Sequence, residues 1–219
     1  GYVSGNYAIT YAQGTLTVAQ APLTVTANAA SKTYDGLAYS GGNGVTYSGF
    51  VNSETVSNLG GALVYGGDSQ GAVNVGSYGI TGSGYTSDNY AITYAPGALT
   101  VTKAPLTVTA NAANKTYDGL AYSGGNGVSY TGLANGETGA VLGGTLVYGG
   151  TSQGAVNVGS YGVTVAGYTS GNYTISYAPG TLTVARASLT VTANSDTKVY
   201  DGLPFSGGNG VTYSGFANG

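Results

Sequence analysis

The sequence predicts an all-β protein of tandem 83-residue modules, each β-sandwich-like and immunoglobulin-like, joined end to end in an elongated array. Three observations predict this fold class. The run KTYDGLAYSGGNGV at 32–45 recurs unchanged at 115–128, and an edited copy begins at Lys198, so both steps are 83 residues (115 − 32 and 198 − 115). Apolar residues alternate with small polar ones in period two, as they do on the two faces of a sheet. Glycine-rich breaks separate the alternating runs, and a fixed period of this kind indicates stacked or beaded modules.

The period divides the chain into two complete repeats and two partial ones. Residues 21–103 and 104–186 are complete, residues 1–20 match the end of a repeat, and residues 187–219 match the beginning of one. This arrangement suggests a window on a longer array. We expect short, stiff junctions, because Lys103 leads directly into Ala104-Pro105 without a Gly/Ser-rich linker, and proline restricts the backbone to extended conformations.

The elements of one repeat follow from its alternating runs. Six strands are predicted in the first repeat, around Leu23–Ala27, Val45–Tyr47, Ala62–Tyr65, Tyr78–Ile80, Tyr90–Tyr94 and Leu99–Val101. Three glycine-containing segments supply the positive φ angles that tight turns need: Asp35-Gly36, Gly41-Gly42-Asn43-Gly44 and Gly66-Gly67. Ala95-Pro96-Gly97 has the residues of a type II turn and predicts a hairpin of the last two strands. Asn52–Leu59 and Asn135–Leu142 each predict one surface turn of helix capped by the asparagine.

The composition excludes several classes of protein. Charged residues make up 6% of the chain and the net charge is −3. Five Lys+Arg residues argue against a nucleic-acid-binding protein, which needs a basic face. The sequence has no apolar run of the roughly 20 residues that a membrane span requires. It contains neither Cys nor His, so disulfides, thiolate metal sites and the commonest general base are absent. We therefore expect no enzyme, no cofactor and no metal.

The repeated motif Lys-x-Tyr-Asp-Gly carries the ionisable residues of the identical run, and we interpret it as a structural turn. Its residues are Lys32, Tyr34, Asp35, Gly36 in the first copy, Lys115, Tyr117, Asp118, Gly119 in the second, and Lys198, Tyr200, Asp201, Gly202 in the third. In this interpretation Asp35-Gly36 forms the bend and Lys32 pairs with the aspartate or a nearby carbonyl. The alternative is an isopeptide cross-link from Lys32 assisted by a buried acid. Glu54 lies in the predicted surface segment, which counts against that chemistry.

Two kinds of ligand site have weaker support in the sequence. Calcium needs six to eight converging oxygens, but Asp68 and Asp88 become Thr151 and Gly171 in the next copy, which favours solvated turns. Tyrosine rings stack on sugar faces, and candidate glycan contacts are Tyr39, Tyr65, Tyr85 and Tyr122. The first three border glycines, which predicts exposure, whereas Tyr47, Tyr78, Tyr90 and Tyr94 alternate with apolar residues, which predicts packing in the core.

The combined motifs resemble a known family along essentially the whole chain. Lys-x-Tyr-Asp-Gly at 32–36 is followed by Gly-x-Tyr-x-Ile at 76–80, by Asn-Tyr-x-Ile-x-Tyr from Asn89, and by Ala-Pro-Leu-Thr-Val at the next repeat. This set resembles the YDG/MBG repeats of large bacterial surface adhesins, including filamentous-haemagglutinin-like proteins exported by two-partner secretion. The resemblance implies export, a place on the bacterial cell surface and a stalk or adhesive role, and it carries over no catalytic residue.

Three functions are therefore compared below. The first is a structural stalk of an exported adhesin, which gives reach and stiffness for attachment to cells or in biofilms. The second is an array that self-associates through β-edges into an extracellular filament or matrix. The third is a set of weak, multivalent glycan-binding modules. The expected partners are neighbouring repeats, other copies of the chain and surface polysaccharide, without nucleic acid.

Overall fold

The computed structural model of the chain describes residues 1–218, and Gly219, the last residue of the predicted partial repeat 187–219, lies outside the described residues. The described chain is all-β, with two single turns of 3₁₀ helix, which confirms the predicted fold class of tandem β modules. Neither helix in this part of the chain is long and apolar enough to cross a membrane.

The two complete repeats contain the same seven strands. The strands of the first are β1 (Ala21–Ala27), β2 (Ala30–Thr33), β3 (Val45–Ser48), β4 (Gly60–Gly66), β5 (Gly76–Thr86), β6 (Tyr90–Ala95) and β7 (Gly97–Thr102). Those of the second are β8 (Ala104–Ala110), β9 (Ala113–Thr116), β10 (Val128–Thr131), β11 (Gly143–Gly149), β12 (Gly159–Thr169), β13 (Tyr173–Ala178) and β14 (Gly180–Ala185). The third copy contributes the antiparallel pair β15 (Thr190–Ala193) and β16 (Val211–Ser214).

Each complete repeat folds into two sheets of mixed direction. The first sheet has the order β3-β1-β6, with β1 antiparallel to β3 and parallel to β6. The second sheet has the order β2-β7-β5-β4. The second repeat reproduces both as β10-β8-β13 and β11-β12-β14-β9. Long crossovers are needed to join the parallel neighbours, so strands from both ends of a repeat lie side by side.

The core of a repeat consists of the inward faces of both sheets. Leu23 and Val25 of β1 are buried, as are Ile80 of β5 and Leu99 and Val101 of β7. Their counterparts in the second repeat, Leu106, Val108, Val163, Leu182 and Val184, are buried as well. The threonines between them are more exposed, which is the expected period-two pattern of a sheet with one packed face.

The structure confirms the six predicted strands of the first repeat and corrects their connections. The predicted hairpin of β6 and β7 is wrong: the strands belong to different sheets, and Pro96 alone separates them. A single intervening residue leaves no room to reverse the chain, so the chain passes from one sheet to the other. Gly97 permits this crossing because a Cβ there would lie 2.4 Å from the Ala27 carbonyl oxygen. Strand β2, with the sequence ASKT, was not predicted because it has no apolar alternation.

The predicted helical turns are present as single 3₁₀ turns at Val56–Asn58 and Gly139–Val141. Their N-caps are Thr55 and Thr138 rather than the asparagines. Asn52 and Asn135 instead adopt left-handed conformations, with φ of 51° and 48°, in the bend that precedes each turn. This bend places the following glutamate beside the sheet, as described below.

The chain forms two compact units. One contains residues 1–32 and 38–101, and the other contains residues 33–37 and the chain from Thr102 onward. The turn at 33–37 lies within the first sequence repeat, yet it packs as part of the second unit. Strands β7 and β8 are separated by Lys103 alone, which confirms the predicted absence of a linker.

Candidate functional site: the tyrosine turn and its acidic socket

The Tyr-Asp-Gly motif forms a turn that its own residues close. Asp118 Oδ1 accepts the Leu120 backbone N–H at 2.9 Å and pairs with Lys115 Nζ at 2.7 Å. The Lys115 hydrogen bond lowers the pKa of the Asp118 carboxyl from its ordinary value. Gly119 continues the bend at a φ of 74°. The pairing of lysine with aspartate is the one that the structural interpretation of the motif predicts.

The other two copies of the turn have the same hydrogen bond from a leucine N–H to the aspartate. Asp35 Oδ1 accepts the Leu37 N–H and Asp201 Oδ1 accepts the Leu203 N–H, each at 2.9 Å. In the third copy Lys198 and Asp201 pair at 2.6 Å. The turn therefore keeps one local geometry in three different surroundings, which means that local interactions are sufficient to form it.

Tyr34, at the first position of the turn, is buried in the second unit, with 6% of its surface exposed. Its hydroxyl donates to Glu137 Oε1 at 2.5 Å, and its ring meets the Tyr173 ring edge-on at a centroid distance of 5.3 Å. Its backbone N–H donates to the Thr102 carbonyl at 2.8 Å. Beside it, Asn135 Nδ2 donates to the Gly36 carbonyl at 3.3 Å. The tyrosine is thus held through its ring, its hydroxyl and its backbone.

Glu137 binds two tyrosines, one on each carboxylate oxygen. Oε1 accepts the Tyr34 hydroxyl, and Oε2 accepts the Tyr173 hydroxyl. The Tyr173 oxygen in turn accepts the Ala134 backbone N–H at 2.8 Å. Hydrogen bonds to an ionised carboxylate are about twice as strong as neutral ones. We call the pocket formed by Glu137, Tyr173, Asn172 and the Thr102 carbonyl the acidic socket.

The electrostatics of the socket favour neutral phenols. The hydrogen bond to Glu137, together with burial, raises the pKa of Tyr34 from 10.0 to about 12. Burial, and then the hydrogen bond to Glu137, raises the pKa of Tyr173 as well. The raised pKa of Tyr34 and of Tyr173 keeps both phenols protonated beside Glu137 at physiological pH.

The three copies of the turn differ in how far they are covered. Tyr34 is buried, Tyr117 is half-buried, and Tyr200 is 94% exposed. The glycine of each turn shows the same order of coverage. A Cβ on Gly36 would meet Asn135, and one on Gly119 would meet Asn218. A Cβ on Gly202 would meet nothing within 4 Å. Tyr117 lines a cleft of about 260 Å³ together with Phe216 and Ala217 of the third copy.

Sequence reasoning found the tyrosine turn but missed the glutamate that receives it. Glu54 and Glu137 were placed on a surface helical turn, where a charged residue needs no partner. Each glutamate in fact precedes its 3₁₀ turn and is half-buried. One signal was available: Glu54 and Glu137 stay identical within a segment where many neighbours change, such as Val56 to Gly139.

The tyrosines proposed as glycan contacts are half-buried rather than exposed. The Tyr65 ring covers Gly42, since a Cβ on that glycine would lie 2.2 Å from a ring carbon. The Tyr85 hydroxyl lies 2.8 Å from the Tyr47 hydroxyl. Tyr39, like its counterpart Tyr122, is half-buried, and it lines an open cleft of about 520 Å³ with Asn43. Sugar binding by these residues stays a prediction.

The acidic side chains in turns and loops accept hydrogen bonds from nearby residues. Both glutamates bind tyrosine hydroxyls, Glu54 that of Tyr90 and Glu137 those of its two partners. Asp68 accepts the backbone N–H of Gly79, and Thr151 does the same for Gly162 in the next repeat at 2.9 Å. Residues 1–218 contain no group of three or more acidic or other metal-ligating side chains placed to hold a metal ion.

Comparison with known proteins gives one finding. A family model described as MBG domain (YGX type) matches residues 23–100 and again residues 106–183, which together make up more than half of the chain. No curated protein sequence matches the chain significantly. The two matched segments are the two complete repeats, apart from a few residues at their ends.

Proposed function

The chain belongs to the MBG domain (YGX type) family, a structural repeat family typical of extracellular surface proteins, and from that premise we propose that it is the stalk of an exported bacterial adhesin. In this function the repeats supply reach and stiffness, so that an adhesive tip is held away from the cell for attachment to surfaces or in a biofilm. Repetition suits this task, because every added repeat adds length without new chemistry.

One observation supports the stalk most strongly: residues 33–37, which the sequence assigns to the first repeat, pack in the second compact unit through the buried Tyr34. We infer that the segment leading into the second unit is fixed there, because Tyr34 donates a hydrogen bond to Glu137. Lys103 alone separates strands β7 and β8, so no flexible linker lies between them. A flexible linker would instead act as a random coil.

Small-angle X-ray scattering tests the stalk proposal on recombinant arrays of two, four and six complete repeats. We expect the maximum dimension to grow linearly, by roughly 30–40 Å per repeat if a strand of about ten residues sets the long axis. The matched control carries ten Gly/Ser residues inserted after Lys103 and its equivalents. If the natural array grows only as the square root of the repeat number, as the control should, it is a chain of loose beads and the stalk proposal fails.

Self-association through β-edges is the second candidate, and the edge strands of the complete repeats favour it. Strands β3 and β4 each lie at the edge of a sheet in the described chain, and neither contains a charged residue. Edges with few charges are poorly protected against strand addition. Arrays that remain monomeric at millimolar concentration in sedimentation experiments would exclude this candidate, and ordered fibres would support it over the stalk.

A further inference from the structure

Two tyrosines meet between the two sheets of each complete repeat. In the first repeat, Tyr47 lies on β3, at the edge of one sheet, and Tyr85 lies on β5 of the other sheet. Their hydroxyls are 2.8 Å apart and share a hydrogen bond, and their ring centroids are 6.1 Å apart. The two residues are separated by 38 positions in the sequence, so it is the fold that brings them together.

The second repeat contains the same pair. Tyr130 of β10 and Tyr168 of β12 have hydroxyls 3.0 Å apart and ring centroids 6.2 Å apart. The ring planes are tilted by 42° in this pair and by 51° in the first repeat. All four tyrosines are half-buried, so small solutes reach them while the fold limits their motion. The pair is therefore a property of the repeat rather than of one copy.

A third tyrosine of each repeat fixes the pair from one side. The Tyr94 hydroxyl accepts the Tyr85 backbone N–H at 2.7 Å, and the Tyr177 hydroxyl accepts the Tyr168 backbone N–H at 2.8 Å. This bond anchors the backbone that carries the second ring of each pair. The two phenols consequently stay within reach of each other.

The composition of the chain directs oxidation to tyrosine. Cysteine and methionine are the side chains that oxidants commonly convert in proteins. The chain contains neither of them, nor any Trp or His, whereas it contains 21 tyrosines. A tyrosine that loses one electron also loses its hydroxyl proton and becomes a phenoxyl radical, with unpaired electron density on the ring carbons beside the hydroxyl. Two such radicals on neighbouring rings combine at these carbons.

We propose that Tyr47 with Tyr85, and Tyr130 with Tyr168, are sites of oxidative coupling to dityrosine, which links the two sheets of each repeat covalently. The two phenols of a pair give up two electrons and two protons to hydrogen peroxide activated for one-electron oxidation, and its O–O bond breaks to form two molecules of water. One carbon–carbon bond forms between a Cε atom of each ring. The hydrogen on each of these Cε atoms moves to the oxygen of its ring, which restores both phenols.

The geometry of the pairs favours this coupling over encounters between other tyrosines. Reacting groups that a fold holds together behave as if they were at very high concentration. Each Cε atom adjoins the carbon that carries the hydroxyl, so hydroxyls that share a hydrogen bond place the Cε edges of two rings side by side. The rings still need to approach each other, and small side-chain rotations supply that movement. The hydroxyls flank the new bond in the product, so their hydrogen bond is retained.

Another tyrosine pair of the chain lacks this arrangement. The rings of Tyr34 and Tyr173 are 5.3 Å apart, but their hydroxyls are bonded to different oxygens of Glu137 rather than to each other. A carboxylate therefore stands between the two hydroxyls. We expect coupling at the two pairs whose hydroxyls are bonded directly.

The link goes beyond the stalk function, because it is a covalent modification of the repeat itself. A cross-link between distant positions stabilises a fold mainly by restricting the unfolded chain. In a chain without cysteine, dityrosine performs the task that a disulfide performs elsewhere, and it prevents the two sheets of a repeat from separating.

Photo-oxidation of the dilute folded chain by a ruthenium bipyridine complex and persulfate, which is also a peroxide, tests the proposal. The monomer is isolated by size-exclusion chromatography and digested with pepsin. Mass spectrometry then identifies peptides that are joined with the loss of two hydrogen atoms. We expect the Tyr47–Tyr85 and Tyr130–Tyr168 links to form at least about tenfold more often in the folded protein than in the chain unfolded in urea, because only the fold brings the rings together.

Two substitutions in the same chain provide the controls. Y47F removes one phenol of the first pair, so the link in the first repeat should disappear while the link in the second repeat keeps its yield. Y78F is the matched control, because Tyr78 is also half-buried but its hydroxyl donates to the Asn74 carbonyl at 2.8 Å instead of bonding another tyrosine. It should leave the yield of both links unchanged.

Two outcomes would overturn the proposal. One is a folded monomer in which the two expected links form no more often than in urea, which would mean that the pairs are not preferred sites of coupling. The other is dityrosine confined to linked multimers, which would mean that tyrosines join separate chains instead of the two sheets of one repeat. Neither outcome touches the stalk proposal, because that proposal is tested by the dimensions of single arrays.

Discussion

Glu137 receives a hydroxyl hydrogen on each carboxylate oxygen, and its two donors come from distant parts of the sequence. Tyr34 lies 103 residues before it and Tyr173 lies 36 residues after it. A carboxylate can accept several hydrogen bonds, so a single acidic residue joins the turn to the sheet. In a chain with 6% charged residues, this acid has a structural task that a neutral side chain could perform only in part.

Tyr34→Phe should lower the free energy of unfolding of the second unit by about 1.5–3 kcal/mol, the typical value of a hydrogen bond to a charged group. The ring packing against Tyr173 remains, so the loss reports the hydroxyl alone. Urea unfolding followed by circular dichroism measures it. Tyr200→Phe, the same substitution in an exposed copy of the same turn, is the control and should leave the unfolding of dilute protein unchanged. Equal effects in both variants would contradict a specific bond to Glu137.

Tyrosine ionisation predicts how stability depends on pH. Three tyrosines have a pKa raised to about 12. The main cause is the hydrogen bond to Glu137 for Tyr34, burial for Tyr47, and the hydrogen bond to Tyr168 for Tyr130. Because these folded-state values exceed the ordinary 10.0, their contribution is complete below pH 10 and is lost as the pH rises towards 12. Urea unfolding at several pH values should show this fall, and it should be smaller in Tyr47→Phe. Stability that stays constant from pH 9 to 12 would contradict the prediction.

The strands show what the alternation of apolar residues can predict and what it cannot. Leu23, Val25 and Leu99 alternate with threonines, so β1 and β7 could be identified from sequence, whereas the ASKT segment of β2 is a strand only because β7 lies beside it. The error at Pro96 has a related origin: local turn residues do not reveal which sheet the next strand will join. The acidic socket could not be predicted either, because it depends on Glu137 and Tyr34 meeting across 103 residues.

Gly180→Ala should destabilise the second repeat by about 1–3 kcal/mol, the usual cost of overpacking. Gly180 begins β14 at the crossing between sheets, and a Cβ there would lie 2.4 Å from the Ala110 carbonyl oxygen. Thermal unfolding measures the change. Gly171→Ala is the matched control in the same repeat, since a Cβ on Gly171 meets nothing within 4 Å. A Gly180→Ala protein as stable as the control would show that the sheets can separate at the crossing without cost.

At the scale of the whole chain, one pentapeptide occurs in three different surroundings. The pentapeptide LTVTA occurs at Leu23–Ala27, Leu106–Ala110 and Leu189–Ala193. In the first two places it pairs on both sides, with β3 and β6 or with β10 and β13. In the third it pairs with β16 alone. Accordingly, Leu23 and Leu106 are almost fully buried, while Leu189 is 48% exposed.

The rates of amide hydrogen exchange should therefore differ among the three LTVTA segments. Intrinsic exchange rates depend on local sequence, so any difference among the LTVTA segments reports their surroundings. We expect the segments in β1 and β8 to exchange at least about a hundredfold more slowly than that in β15, because their amides open only when a packed repeat opens. Mass spectrometry of peptic fragments measures this, with the unfolded chain in urea as the control. Equal protection of all three segments would mean that the β15–β16 pair alone is a stable fold and that a repeat does not need its remaining strands.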